Sequence, residues 1–453
     1  MIEVNDKIRV LITGYSPEGH TSFGSQIRDV WNRLIKTGKY EVIQHGWFHN
    51  SSIEKVPWKI IPTDKVRNPQ RQHVYDPEDR WGQKSFPEVC SQVKPDLVWT
   101  LADLYMIEHI NQYRQPLNFK YIQYVPIDGT PVPPRYKGII EGADKTIGVC
   151  KWGAEAMSQM VGYEIPYIYH GVDTDIFKPM DPEQRKLVRM NSSKGRMHDD
   201  CFVIGWVGKD QYRKQSYNPF EIMYYLRTGN YVTCNSCGRV TRAKRDFMSH
   251  TTEGVPTSCR WCKDENVTQA DPIDAMLWGH VFNNPTQGWD LDRLVKEWEI
   301  TDKVVFTEGL SRDSGMKVSE MASLYSCFDV LISLSGGEGF MIPGVEAQAC
   351  GVPVAYTDYS GQVEVCEQGG EPIEVSSFTP EVGTHINRAV TCADDAIRVL
   401  RNLWLDKEHR EQLGSAGRVF AVDEFNHDEL CVQHDEIIQS VMKNSVQLMG
   451  VQV

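Results

Sequence analysis

Short runs of β-branched and aromatic residues alternate with longer helical patterns along most of the chain, and this alternation constrains the fold most strongly. It is typical of βαβ units, in which helices join parallel strands. The strand candidates form two series, at residues 10–13, 97–100, 121–125 and 146–149, and at 202–207, 275–281, 304–306, 330–334 and 352–355. Because 453 residues exceed what one hydrophobic core usually serves, we predict two doubly wound α/β domains.

A polar stretch between the two series marks the domain boundary. We place the first domain at residues 1–180, a linker at 181–200 and the second domain at 201–420. A small insertion is predicted at 229–266, inside the second domain. Residues 421–453 are predicted to form a helix that packs back on the first domain.

Composition argues against a membrane-spanning chain. The chain is 41% hydrophobic and 24% charged, and no apolar run approaches the ~20 residues that cross a bilayer. The polar, acidic start does not resemble a signal peptide, so we expect a cytoplasmic location. A net charge of −13 argues against broad adhesion to nucleic acid or lipid, although local patches can be basic. The oligomeric state stays open.

The cysteines fall into two groups. Eight lie singly in apolar segments and are interpreted as buried thiols: Cys90, Cys150, Cys201, Cys327, Cys350, Cys366, Cys392 and Cys431. The others form two C-x2-C pairs, Cys234 with Cys237 and Cys259 with Cys262. This spacing predicts a zinc ribbon, with a closed tetrahedral site for structural Zn²⁺. Four unrelated thiols are the alternative, and no metal is expected in catalysis.

The predicted ribbon is mildly basic within an acidic chain. Its cations are Arg239, Arg242, Lys244, Arg245, Arg260 and Lys263. Together with the basic stretch at 55–80, they are compatible with a nucleic-acid contact surface. A dimerisation surface or a simple stabilising clip explains the ribbon equally well.

A glycine-rich turn follows the strand candidate at 330–334 and leads into a helix. The backbone N–H groups and dipole of the first helical turn can hold a diphosphate. Glu338 precedes the helix and Glu346 lies inside it, so both carboxylates can accept hydrogen bonds from sugar hydroxyls. The alternative is a tight turn whose two glutamates face solvent.

A basic loop follows the first strand of the second domain. It contains Lys209, Arg213 and Lys214. Loops at the carboxyl ends of parallel strands are where open α/β sheets bind ligands. Cations there can neutralise the charge of a departing nucleotide diphosphate, whereas a surface cluster without a binding role is the alternative.

Three loops of the first domain also follow strand candidates. One is the glycine-containing loop 14–24, and the others carry Asp103 and Asp128. Both aspartates are predicted to face a cleft, although they are also compatible with hydrogen-bonded turn residues. His170, before the linker, is expected to have a structural role.

The stretch from Glu338 to Glu346 resembles the E-x7-E signature of retaining GT-B glycosyltransferases, as in glycosyltransferase family 4. The resemblance extends over residues 8–226 and 270–440. It implies a GT-B fold, in which two Rossmann-like domains face a cleft. The first would bind the acceptor and the second the nucleotide sugar, with the zinc ribbon as an addition.

The resemblance also implies roles for residues of the glycine-rich turn. Glu338 would contact the donor sugar, and Glu346 would bind the ribose of the nucleotide. The backbone of Gly339, Phe340 and Met341 would bind the sugar and phosphates.

Further roles are implied for the loops on either side of the cleft. The cations that would bind the diphosphate are Lys209, Arg213 and Lys214, although the family's usual order is Arg followed by Lys. Gly19 would approach the donor phosphates from the first domain. Asp128 would lie near the anomeric carbon, with Asp103 as the second candidate.

These inferences predict a retaining glycosyltransferase that uses a nucleotide diphosphate sugar. The expected acceptor is a glycan, a lipid-linked sugar or a small-molecule hydroxyl. One alternative is an enzyme that glycosylates hydroxymethylated pyrimidines in DNA, which requires an accessible base. Another is a non-catalytic nucleic-acid-binding protein that keeps the GT-B fold as a scaffold.

Overall fold

The computed structural model describes most of the chain. The described residues are 7–18, 21–48, 55–63, 77–198, 200–246, 249, 251–282, 288–310 and 315–449. They form two α/β domains and a small antiparallel module. Within these ranges, no helix has the length and apolar character needed to cross a membrane.

The first domain is built on a six-stranded parallel sheet. Its strands are β1 (Ile8–Tyr15), β2 (Tyr40–Trp47), β3 (Lys59–Pro62), β4 (Leu97–Leu101), β5 (Lys120–Val125) and β6 (Lys145–Gly148). Its helices are α1 (Ser22–Lys36), α2 (Phe86–Val93), α3 (Leu104–Ile107), α4 (Asn111–Leu117), α5 (Lys137–Gly142) and α6 (Lys151–Val161). The order β3-β2-β1-β4-β5-β6 reverses between β1 and β4, which opens a crevice at their carboxyl ends.

Two strands of this sheet, β2 and β3, escaped the sequence analysis. β2 reads YEVIQHGW, and its buried Gln44 and His45 interrupt the apolar pattern. Trp58 Nε1 donates to Gln44 Oε1 at 2.9 Å, and His45 Nε2 lies 3.0 Å from Ser85 Oγ. These polar side chains are therefore satisfied inside the fold by partners that the strand pattern does not show.

The predicted linker contains α7 (Pro182–Ser192), and this helix packs on the second domain. Asp181 caps its first turn by accepting hydrogen bonds from the N–H groups of residues 183 and 184. Arg185 and Arg189 contact Asp329 at 2.9 and 2.7 Å. Burial opposes ionisation of Asp329, but the two arginines outweigh it and lower the pKa of this carboxyl. The helix is therefore anchored electrostatically.

The second domain repeats the same topology. Its parallel strands are β7 (Phe202–Lys209), β13 (Ala275–Phe282), β14 (Val304–Phe306), β15 (Val330–Ser333), β16 (Val354–Thr357) and β17 (Gly370–Ile373), in the order β14-β13-β7-β15-β16-β17. Its helices are α8 (Asn218–Thr228), α9 (Leu291–Glu297), α10 (Val318–Ser326), α11 (Ile342–Ala349), α12 (Gly361–Cys366), α13 (Ala393–Leu405) and α14 (Lys407–Glu424). Four 3₁₀ turns lie at Pro77–Asp79, Pro134–Tyr136, Tyr212–Lys214 and Thr301–Lys303.

A hairpin and the ribbon are additions to this second sheet. The hairpin pairs β18 (Val375–Pro380) with β19 (Asn387–Thr391). The ribbon interrupts the crossover between α8 and β13, and its strands are β8 (Tyr231–Cys234), β9 (Val240–Arg242), β10 (Arg245–Asp246), β11 (Thr251–Thr252) and β12 (Val267–Gln269). β12 pairs antiparallel with β8, so the module continues to residue 269 rather than ending at 266.

The last helix, α15 (His427–Met449), returns to the first domain. Asp435 accepts hydrogen bonds from the side chains of Lys39 and Tyr40. Arg33 forms an ion pair with Asp428. The helix begins at His427 rather than at 421, because residues 421–424 complete α14, which packs on the second domain.

Candidate active site

The two sheets face each other across a cleft of about 1660 Å³. Its walls come from loops that follow the carboxyl ends of β1, β4 and β5 in the first domain and β7 and β15 in the second. These are the positions at which doubly wound sheets bind ligands.

Glu338 lies in the glycine-rich turn between β15 and α11 and is buried in the cleft wall. Its N–H donates to Ser360 Oγ at 2.9 Å, and its carbonyl accepts from the N–H of Gly361 at 3.1 Å. Met341 then adopts a left-handed conformation, with φ of 77°, before α11 begins. The start of α12 therefore holds the backbone of the turn, while the Glu338 carboxylate contacts the basic loop.

The basic loop meets Glu338 directly. Lys214 forms an ion pair with one carboxylate oxygen, and Arg213 Nη1 lies 3.2 Å from the other. Burial opposes ionisation of Glu338, but the two cations outweigh it and lower its pKa to about 2. Two cations contact this one carboxylate, and such donors suit an anionic ligand such as a diphosphate. Lys209 also lines this cleft.

Glu346 has a different environment, although it lines the same cleft. It lies inside α11, and its carboxylate accepts a hydrogen bond from Tyr325 Oη at 2.7 Å. Burial raises its pKa to about 7, and the Tyr325 hydrogen bond opposes that rise only in part. The two glutamates therefore differ in charge near neutral pH, because only Glu338 has cationic partners.

Both aspartates predicted to face the cleft line its first-domain side. Arg388 Nη1 lies 3.1 Å from Asp128 Oδ1 and donates to the Asp128 carbonyl at 3.0 Å. Arg213 Nε lies 3.9 Å from the same carboxylate. Asp103 lies nearby, and burial together with the charge of Asp128 raises its pKa to about 7.

Arg388 escaped the sequence analysis because it is a single cation in β19 and belongs to no local motif. The hairpin places it: the Ala389 N–H donates to the Gly336 carbonyl at 3.0 Å, and the Asn387 N–H donates to the Thr130 carbonyl at 3.0 Å. Arg388 Nη2 also contacts Glu381 at 3.0 Å. The hairpin thus joins the glycine-rich turn to the loop after β5.

The remaining predicted donor-binding residues have mixed outcomes. Gly339, Phe340 and Met341 line the cleft, and the Gly339 carbonyl accepts a hydrogen bond from Cys150 Sγ at 3.1 Å. Phe340 packs edge-on against His170, with ring centroids 5.1 Å apart. Gly19 lies outside the described residues.

Glu364 of α12 connects the two domains beside the cleft. Its carboxylate accepts hydrogen bonds from the N–H groups of Lys151 and Trp152, at 2.9 and 2.8 Å, at the start of α6. Tyr169 Oη donates to it at 2.6 Å. One domain therefore caps a helix of the other, which helps to hold the two domains together.

The ribbon brings its four cysteine sulfurs together. All four lie within 4.8 Å of one another, with Cys234 and Cys262 at 3.5 Å and Cys237 and Cys259 at 3.6 Å. A tetrahedral zinc ion with Zn–S bonds of about 2.3 Å requires sulfurs about 3.8 Å apart. The donor set therefore fits one such ion. All twelve cysteines of the chain are free thiols, and the eight scattered ones are buried.

Four of the ribbon's arginines contact carboxylates of the second domain. Arg242 pairs with Glu221 and Asp394, and Arg260 lies 3.2 Å from Asp394. The outer pairs are Arg239 with Glu374 at 3.1 Å and Arg245 with Glu299 at 3.5 Å. The ribbon arginines that suggested a nucleic-acid surface therefore mainly hold the ribbon against the second domain.

The second domain matches a known protein family over much of its length. Residues 285–420 match the family model of glycosyl transferases group 1. The match includes the glycine-rich turn, α11 and the hairpin. An N-acetyl-alpha-D-glucosaminyl L-malate synthase from Bacillus anthracis is 28% identical over 152 residues, 34% of this chain and 34% of that protein. The chain thus matches about a third of the length of this curated relative.

Solved structures share the whole fold. Sucrose-phosphate synthase from Thermosynechococcus elongatus has a TM-score of 0.69 at 15% identity, covering 97% of this chain and 100% of that chain. Anabaena HepE, in complex with UDP-glucose, has a TM-score of 0.66 at 12% identity, covering 96% and 100%. The predicted GT-B fold is confirmed.

Proposed function

We propose that this protein is a retaining glycosyltransferase that takes a sugar from a nucleotide diphosphate donor. The observation that carries the proposal is the buried cluster of Glu338, Lys214 and Arg213 at the start of α11, which combines an ionised carboxylate with two cations. The family match over residues 285–420 and the UDP-glucose complex of a structural relative support the same donor class.

In this proposal, the second domain holds the donor. Lys214, Arg213 and Lys209 stabilise the negative charge that develops on the departing diphosphate. Glu338 accepts hydrogen bonds from the donor sugar, and Glu346 accepts them from the ribose. The backbone from Gly339 to Met341 contacts the sugar and phosphates, with Gly19 opposite, and no catalytic metal is assigned.

The first domain, residues 1–180, presents the acceptor. An acceptor hydroxyl attacks the anomeric carbon from the face that the diphosphate leaves. The new C–O bond forms as the bond to the diphosphate breaks, and the hydroxyl proton passes to a diphosphate oxygen. This sequence retains the anomeric configuration, with Asp128 held near the reacting carbon.

A glycan, lipid-linked or small-molecule hydroxyl is the favoured acceptor. The DNA alternative is less favoured, because the ribbon arginines that suggested it pair with carboxylates of the second domain. The non-catalytic alternative is disfavoured because Glu338, Lys214 and Arg213 keep three charges buried in the cleft wall, a costly arrangement that a scaffold without donor chemistry does not require. We also propose that the four ribbon cysteines bind structural Zn²⁺. We propose a cytoplasmic location because the eight other cysteines are buried free thiols.

The test is a donor panel of UDP-, GDP- and ADP-sugars, scored by release of nucleotide diphosphate with neutral sugars, lipid-linked sugars or hydroxymethylated DNA as acceptors. Lys214→Ala is expected to lose about 10²- to 10³-fold in turnover, as when one charge-stabilising group is removed. Lys407→Ala, at an exposed position on α14, is the matched control and should retain full turnover. No turnover of any donor, or a product of inverted anomeric configuration, would contradict the proposal.

A further inference from the structure

Two carboxylates line the first-domain side of the cleft, but their surroundings differ. Asp128 contacts Arg388 at 3.1 Å and Arg213 at 3.9 Å, and its carbonyl accepts a third contact from Arg388. Its carboxylate therefore lies between the two arginines that join the hairpin and the basic loop to the first domain, and the contact with Arg388 is the shorter one. Asp128 links the two domains at this point.

Asp103 is placed differently. It occupies the N-cap of α3, yet its side chain makes no capping hydrogen bond to that helix. No residue within the described ranges forms an ion pair with it, and its hydrogen-bond partner is the hydroxyl of Tyr105. A carboxylate has about four acceptor positions, so Asp103, which lines the cleft, keeps acceptor capacity beyond its contact with Tyr105.

The surroundings of Asp103 indicate what kind of molecule it can bind. Tyr105 is 39% exposed and packs edge-on against Trp81, with ring centroids 5.4 Å apart. The carboxylates of Asp128 and Glu381 also line the cleft, and both are paired with Arg388. Of these three carboxylates, Asp103 is the one without an arginine partner among the described residues, so it can accept a hydrogen bond from an acceptor hydroxyl.

We infer that Asp103 binds the acceptor by accepting a hydrogen bond from one of its hydroxyls. The inference rests on the proposed function and adds an acceptor-binding residue to that same site. The hydroxyl that Asp103 holds is adjacent to the attacking one, or is the attacking one itself. In either case the proton goes to the diphosphate, and Asp103 undergoes no net change in protonation.

The test separates donor chemistry from acceptor binding. Donor hydrolysis without acceptor and transfer to acceptor are measured for the wild type, Asp103→Asn, Asp103→Ala and Asp128→Asn. Both Asp103 variants should keep donor hydrolysis within about twofold. Their kcat/KM for a neutral glycoside should fall about 10- to 100-fold, which corresponds to one hydrogen bond to a charged group. Asp128→Asn should lower hydrolysis and transfer together, because it loosens the arginine contacts.

The role of the hydroxyl is tested with matched glycoside and deoxyglycoside acceptors. The wild type should have a kcat/KM at least tenfold higher for the glycoside that keeps the hydroxyl, and Asp103→Asn should narrow that ratio. Because burial and Asp128 both oppose ionisation of Asp103, the Asn variant should fold normally, and thermal unfolding checks this. Unchanged transfer by the Asp103 variants, equal loss of hydrolysis and transfer, or an unchanged glycoside-to-deoxyglycoside ratio in Asp103→Asn would overturn the inference. Failure of the wild type to turn over any donor would instead overturn the proposed function.

Discussion

The contact between the ribbon and the second domain leads to a quantitative prediction for Arg242→Met. Arg242 pairs with both Glu221 and Asp394, and the Asp394 side chain is only 2% exposed. Removing one partner of a buried ion pair costs about 3–5 kcal/mol, because the remaining charge is left uncompensated. Asp394 keeps Arg260 at 3.2 Å, so we expect the lower end, about 3 kcal/mol.

This loss should appear as a lower melting temperature of the second domain. For a domain of its size, 1 kcal/mol corresponds to about 2–4 °C, so Arg242→Met should shift Tm by about 6–12 °C. Arg239→Met is the matched control, since it removes an arginine of the same ribbon from a pair whose partners are 43% and 52% exposed. Such an exposed pair contributes about 0–1 kcal/mol, so its shift should stay below about 4 °C.

Thermal unfolding by circular dichroism, in buffer containing zinc, measures both variants. Equal shifts for the two, or a shift below about 2 °C for Arg242→Met, would refute the idea that the arginines dock the ribbon. Such a result would return those side chains to consideration as a ligand surface.

Three further predictions concern the donor site, the metal site and domain closure. Burial raises the pKa of Glu346 to about 7, and in the proposed function its ionised form accepts the ribose hydroxyls. Lowering the pH from 8 to 6 should therefore raise the donor KM about tenfold. Glu346→Gln should abolish this pH dependence. A zinc chelator should lower the Tm of the wild type but not that of Cys259→Ser. Donor turnover at 20 °C should be largely kept, because the ribbon cysteines do not line the cleft. Glu364→Ala removes the cap on α6, costing about 1 kcal/mol, and small-angle scattering should show a larger radius of gyration.

Local sequence patterns were sufficient to predict the two-domain architecture and the two loops that line the second-domain side of the cleft. The alternation of strand and helix patterns predicted two α/β domains, and the structure has two parallel sheets of the same topology. The spacing of the cysteine pairs predicted the clustering of their four sulfurs. Such patterns succeed because periodicity and short spacing determine local structure, whichever partners the elements later find.

The same reasoning missed strands whose polar residues are satisfied by distant groups. In β2, Gln44 and His45 are buried, and their hydrogen-bond partners come from other segments. The β17 strand, Gly370–Ile373, contains Glu and Pro in four residues. It pairs with β16 because it lies at the sheet edge, where proline is tolerated.

The sequence by itself predicted most of the charged residues that line the cleft, whereas the tertiary structure decided which of them are paired with each other. Asp103 and Asp128 follow similar strands and are equivalent in sequence, yet only Asp128 is paired with Arg388, which β19 contributes from the other domain. The ribbon arginines likewise looked free until packing placed Glu221 and Asp394 against them. Opposite charges compensate each other only when they lie within a few ångströms. The sequence does not show which charges, separated by hundreds of residues, come that close in the folded protein.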